Sequence, residues 1–298
     1  MRRRSAAVFR SLIFSMTRRF GHNLAAAFAA TALVISGCAG AAVAQEHAAA
    51  MPCGGDEIAL VTVQRAIDGR TLGLDDGREV RLAAIEVPSA PAANEAGPGA
   101  GGVRAREALD ALTVGDEVSL RRAEIASDRY GRLVAYAYTV RDGSQFFVQG
   151  EMIAAGLARV GDHIGSRGCA SELMREERGA RAGKLGLWAN SYYRMFSADE
   201  PAKLLAEQGQ FVLVEGKVAS VRESGATIYV NFGQRWSEDF AVTILKRNEH
   251  NFIAAGFDPK QLAGRRIRVR GWIEESGGGK SPRIDAAQPA QMEFADRE

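Results

Sequence analysis

The stretch 68–88 reads Asp-Gly-Arg-Thr-Leu-Gly-Leu-Asp-Asp-Gly-Arg-Glu-Val-Arg-Leu-Ala-Ala-Ile-Glu-Val-Pro. Apolar and polar residues alternate on both sides of Asp75-Asp76-Gly77, the pattern of a tight hairpin with one buried face. That pattern fixes register, because a slip of one residue turns every apolar side chain of a strand to water. Pro88 ends the second strand. The charges are placed unusually: Arg70 lies in the first strand, Arg81 in the second, and Glu86 just before the proline. Guanidinium groups in barrel strands, with a carboxylate five residues on, are one way to build an anion site.

The pattern around this hairpin is β-rich. Strands are expected at 58–66, 71–74 and 79–85, then a Pro/Ala/Gly loop at 90–102 and a short helix at 103–112. Strands at 117–122 and 133–140 follow, then helices at 146–156 and 168–183, with Trp188 as a core plug. Residues 191–209 bridge to a second unit with strands at 211–221, 227–232, 239–245 and 265–274, a helix at 246–256, and a last short strand within 288–294. Three strands, a helix, then two strands is the element order of a five-stranded OB barrel. The fold class expected is α+β, mainly β: one OB barrel with flanking helices, then a smaller OB-like barrel. The boundaries are a leader at 1–44, a tether at 45–56, domains at 57–190 and 210–298, and a linker at 191–209.

The formal charge of +2 over 298 residues is set by the leader. Residues 1–44 carry six arginines and no acid; without them 32 basic residues face 36 acidic ones, a net of −4. Nucleic-acid affinity must then come from a local patch. The arginines precede an Ala-rich apolar run at 24–37, as in an export signal. Two cleavage readings stand: Ile35-Ser36-Gly37-Cys38 is similar to a lipobox, leaving Cys38 as a lipidated N-terminus, and Ala42-Val43-Ala44 suits an ordinary signal peptidase site. An uncleaved anchor helix is the third. The chain is expected to be exported, to the periplasm or as an envelope lipoprotein, touching membrane only through Cys38. Either cleavage leaves Cys53 and Cys169, which an oxidising compartment allows to pair; two free thiols are the alternative. No His/Cys spacing suggests zinc, and no protein partner is evident.

Five blocks in order, Ile67-Asp68-Gly69-x-Thr71, Val80-Arg81-Leu82 with Ile85-Glu86-x-Pro88, Asp128-x-Tyr130-Gly131-Arg132, Ala154-Ala155-Gly156-Leu157-Ala158, and Ala182 with Gly186-Leu187-Trp188, resemble the staphylococcal nuclease (thermonuclease) family. The resemblance covers about residues 58–190. It implies an OB-fold phosphodiesterase acting on DNA or RNA with calcium. Arg81 and Arg132 match the family's phosphate-binding arginines, and Glu86 matches a metal-binding aspartate. Arg70 stands where the family has another metal-binding aspartate, and Ser89 where it has the glutamate near the attacking water. Glu95 is a carboxylate in the loop beyond. Three readings of the arginines remain: an anion site that binds without cutting, cleavage by another route with Arg70 assuming part of the metal's role, or structural pairing with Glu86, Asp68 or Asp128.

In the second unit, Tyr229, Phe232, Trp236 and Phe240, with Asn231 and Arg235, either stack single-stranded bases or fill a small core. The alternating Arg266, Arg268 and Arg270 form either an outward anion surface or a charged edge strand. The helix at 171–181 reads as a solvated face with i,i+4 pairs such as Glu177–Arg181.

Overall fold

The computed structural model describes residues 51–88, 100–190, 193, 195–276 and 281–295. The leader with Cys38, and also Ser89 and Glu95, lie outside the described residues. Ala49–Glu298 is one compact unit containing two apolar cores.

Around the first core run β1 (Glu57–Asp68), β2 (Thr71–Leu74), β3 (Glu79–Leu82), β4 (Ile85–Glu86), α1 (Ala100–Thr113), β5 (Glu117–Ser127), β6 (Leu133–Arg141) and β7 (Ser144–Phe147). The sheet order is β3-β2-β1-β5-β6-β7, and β3 also pairs in parallel with β6. That extra pairing closes five strands into a barrel, which leaves no edge between β3 and β6. The alternation seen in the hairpin fills the barrel: Leu72, Leu74, Val80 and Leu82 are buried. Helix α1 packs Ala105 and Leu109 inward. Gly69 permits this approach, since a Cβ there would lie 2.7 Å from both Ala105 Cβ and Val87 Cγ1. The unit is completed by α2 (Val148–Ala154), β8 (Arg159–Val160) and α3 (Arg167–Ala182), whose N-terminus Ser166 caps by accepting from Cys169 N.

Three local expectations change here. The strand expected at 79–85 stops at Leu82, because Ala84 turns with φ 61° and sends β4 to pair with β8. Phe146 and Phe147 are strand rather than helix: Asp142 and Gly143, both at positive φ, turn a hairpin that sets Phe147 opposite Tyr138, rings stacked 4.9 Å apart. Trp188 is only half-buried, and its neighbour Leu187 is the buried plug. Cys53 and Cys169 form a disulfide, so the free-thiol alternative falls. Their separation of 116 residues removes about 4–5 kcal/mol of unfolded-chain entropy.

The second core is enclosed by β9 (Phe196–Ser197), α4 (Pro201–Leu205), β10 (Phe211–Lys217), β11 (Ser220–Ser224), β12 (Thr227–Asn231), β13 (Ala241–Leu245), α5 (Glu249–Ala254), β14 (Arg266–Trp272), β15 (Glu274–Glu275), β16 (Pro282–Asp285) and β17 (Met292–Phe294). They form two sheets, ordered β17-β14-β10-β9 and β11-β12-β13-β16-β15. The strands expected at 211–221 and 265–274 each break where the chain passes between sheets, at the buried Val218 and Ile273. Of the aromatic run, Phe232 and Phe240 fill the core at 5.1 Å from each other, whereas Trp236 is exposed and Tyr229 half-buried.

Of the basic stripe of β14 only Arg266 faces outward, and the strand is not an edge. The strand lies between β10 and β17, and Arg268 and Arg270 are 6% and 1% exposed. Arg266 and Arg268 donate through Nε to the two oxygens of Glu215, each at 2.6 Å. Arg270 crosses to the first core, with Nη2 2.8 Å from Glu177 Oε2 and 3.4 Å from Glu293 Oε1. Glu177 is 1% exposed and accepts Val160 N at 2.8 Å. Arg181 holds Glu293 at 2.8 Å and Glu177 at 3.8 Å. The α3 face expected to be solvated is therefore partly buried against the second core, because Arg270 supplies a partner that the sequence of α3 does not contain.

Such buried charges are tolerated only as a complete set; removing one partner costs about 3–5 kcal/mol. Arg270→Ala is expected to lower the unfolding free energy by about that amount, measured by urea denaturation. Burial pushes the Glu293 carboxyl up, but Arg270 and Arg181 more than offset it and hold it below its ordinary 4.5. Its contribution is thus complete above pH 4.5 and is lost as pH falls through the depressed folded value. The stability difference between wild type and Arg270→Ala should narrow across that range.

Candidate functional site

The hairpin and its neighbours bring the arginines to one end of the barrel. Arg70 stands in the β1–β2 turn rather than in the first strand, and Asp68 Oδ1 accepts Arg70 N at 2.8 Å. Register sets Thr71 opposite Arg81, and Arg81 Nη1 donates to Thr71 Oγ1 at 2.9 Å and Asp68 Oδ2 at 3.2 Å. Arg132 enters β6 beside β3, with Leu133 opposite Val80. The turn before it is closed by Asp128, whose carboxylate accepts the backbone N–H of Tyr130 and Arg132 and the Arg132 side chain at 2.7 Å. Each guanidinium is thereby aimed by a carboxylate: Arg70 by Glu86, Arg81 by Asp68, and Arg132 by Asp128 with Glu79 at 3.8 Å. Glu86, Asp68 and Asp128 are the acids that the structural-pairing reading names.

Pairing does not quench the site. An open cleft of about 710 Å³ is lined by Arg70, Arg81, Arg132, Glu86, Tyr130, Asp162, His163 and Trp272, among others. Burial, then the Arg70 charge, push the Arg81 guanidinium down; Asp68 and Glu86 act against this, and Arg132 adds to it. Arg81 is half-buried, repelled by Arg70 and Arg132 and attracted by Asp68 and Glu86. Burial raises the Glu86 carboxyl, with Arg70 opposing and Asp162 reinforcing.

Sequence reasoning missed two parts of this wall. Asp162 and His163 follow β8, which the β4–β8 ladder holds beside Glu86. Strand β8 is too short for periodicity to reveal, and only the adjacency of an acid to a histidine marked it. Trp272 comes from the second core at the end of the arginine stripe, edge-on to Phe211 at 5.7 Å. Its place on the stripe face was readable; its arrival at the cleft was not.

A closed five-stranded barrel with helices packed outside it defines the OB-fold class. Residues 79–190 match the family model described as "Staphylococcal nuclease homologue", and this part of the chain is a staphylococcal nuclease domain. No curated protein matches the chain.

The family is calcium-dependent in general, so the donors at the corresponding place bear testing. Glu86 is ion-paired with Arg70, and Arg70 Nη1 also donates to Ile85 O at 3.2 Å. Among the described residues no group of three or more His, Cys, Asp or Glu is placed to hold a metal. A hard divalent cation needs several anionic or neutral oxygens, and here a guanidinium stands among them. These residues do not fit calcium. Arg70→Asp exchanges that guanidinium for a carboxylate near Glu86 and Asp68. It is expected to create a calcium-dependent rise in melting temperature that wild type lacks, read by scanning calorimetry with calcium and with chelator.

Proposed function

We propose that this protein is an exported member of the nuclease family that engages the phosphodiester backbone of nucleic acid through Arg70, Arg81 and Arg132, without calcium. The observation that carries this reading is the convergence of the three arginines in one open cleft. Guanidinium forks match the two non-bridging oxygens of a phosphodiester. In this reading Arg70 supplies part of the positive charge that a cation supplies elsewhere in the family, and Glu86, Asp68 and Asp128 hold the guanidinium groups in place. The mildly acidic net charge behind the cleft favours local contacts over the broad cationic grip of a non-specific DNA binder. The second core, read as an OB-like accessory domain, adds Trp272 to the cleft wall.

Binding of a fluorescein-labelled single-stranded oligonucleotide, followed by anisotropy, tests this. Binding should be equal in calcium and in chelator and should weaken as salt rises. Arg81→Ala and Arg132→Ala should each weaken it about 10- to 100-fold, the scale of a lost charged hydrogen bond. Salt-insensitive binding, or none, would sink the proposal.

Export is supported by the leader's sequence and by the disulfide, which persists in oxidising compartments. Intact-mass measurement of the protein purified from its native host should find a chain beginning at Cys38 with a lipid adduct or at Gln45. A mass retaining Met1 would count against export by cleavage.

A further inference from the structure

The cleft holds a titratable pair that phosphate binding does not use. His163 Nδ1 lies 2.8 Å from Asp162 Oδ1. The Asp162 side chain is 18% exposed and that of His163 56%, so the acid is sheltered and the ring faces solvent in the cleft. The loop carrying them is pinned at both ends. Gly161 N donates to Ala84 O at 2.8 Å, while Ile164 N donates to Gln288 Oε1 at 3.1 Å and Gly165 N to Tyr136 Oη at 3.3 Å. An ionised carboxylate only accepts, so Asp162 fixes the proton on Nδ1 and leaves Nε2 as the basic nitrogen. A histidine oriented by a sheltered acid, in a cleft lined by guanidinium groups that can receive phosphoryl charge, forms the parts list of acid–base phosphodiester cleavage.

We propose that His163, oriented by Asp162, is the general base of a metal-independent cleavage of RNA in this cleft. The inference rests on the reading of the cleft as a phosphodiester site. RNA carries its own nucleophile next to the phosphorus, an advantage of proximity that removes the need for a metal to activate water. His163 Nε2 takes the proton of the 2′-hydroxyl, the O2′–P bond forms and the P–O5′ bond breaks. The proton passes from the imidazolium through water to the departing O5′. The products are a 2′,3′-cyclic phosphate and a 5′-hydroxyl; atoms and charge balance with no co-reactant. Arg81 and Arg132 stabilise the charge that builds on the non-bridging oxygens. DNA, lacking the 2′-hydroxyl, binds but is not cut by this route.

The surroundings set the pH dependence. The Asp162 hydrogen bond raises the His163 ring above its ordinary 6.5, burial opposes this, and the charges of Asp162, Glu124 on β5 and Glu86 on β4 add to it; Arg70, Arg81, Arg129 and Arg132 line the same cleft. The basic form therefore gains population as pH rises through a value above 6.5, and cleavage should rise with it to a plateau.

The test uses the mature protein with an RNA oligonucleotide and its DNA counterpart, in chelator, with anisotropy for binding and mass spectrometry of products. Wild type should cut RNA alone and leave 2′,3′-cyclic ends. His163→Gln should lose at least about a hundredfold in cleavage rate while binding RNA as wild type does. Asp162→Asn should retain more activity, with its pH midpoint moved down toward 6.5. RNA bound but not cut, cleavage unaffected by His163→Gln, cleavage only with calcium, or products without cyclic ends would each overturn this inference and leave the binding proposal standing. Absence of binding by wild type would overturn the binding proposal, and this inference with it.

Discussion

The carboxylate of Glu177 is the constraint on which the rest of this structure hangs. It is almost fully buried on α3, and one oxygen accepts the backbone of Val160 while the other meets Arg270 from the second core. A charge at that depth persists only if every partner is present. Its demands therefore hold three elements together: the helix that bears it, the short β8 it caps, and the β14 strand that sends the arginine. Burial pulls the Arg270 guanidinium down, yet Glu177 and Glu293 outweigh this and keep it charged.

The consequences reach the cleft. Strand β8 is fixed on one side by Glu177 and on the other by its ladder with β4, where Arg159 lies opposite Glu86. Arg159 is itself buried; burial pushes its guanidinium down, with Glu177 and Glu86 opposing. Signs thus alternate from Arg70 through Glu86, Arg159 and Glu177 to Arg270. Glu177 and Glu86 offset part of the cost of burying Arg159, whose Nε has no hydrogen-bond partner among the described residues. The same ladder brings Asp162 and His163 into the wall of the arginine-lined cleft.

Much of the first barrel was legible because its signals are local. Alternation and the Asp-Asp-Gly turn determined the hairpin, and the turn chemistry of Asp128-Arg129-Tyr130-Gly131 determined where Arg132 stands. Glu86, Asp68 and Asp128 could be named from sequence as partners of the arginines, but which acid meets which arginine was decided by the fold. Less legible were features set by partners distant in sequence. The helix face of Glu177 and Arg181 reads as solvated because every pattern rule assumes that charges seek water. Arg266, Arg268 and Arg270 read as a surface for the same reason. Strands β8 and β9, of two residues each, are too short for a period of two to emerge.

By itself, then, the sequence determined a barrel hairpin bearing Arg70, Arg81 and Glu86, a resemblance to the nuclease family over one part of the chain, and the departures within that match. Local alternation, turn residues and motif spacing carry that information because they act over a few residues. Tertiary structure alone decided that Arg270 of the second core's arginine stripe turns inward to neutralise Glu177, while Arg266 and Arg268 pair with Glu215. It also decided that Asp162, His163 and Trp272 join the arginine cleft. These outcomes depend on which desolvated charges meet across separate cores, and no stretch of sequence contains both halves of such a pair.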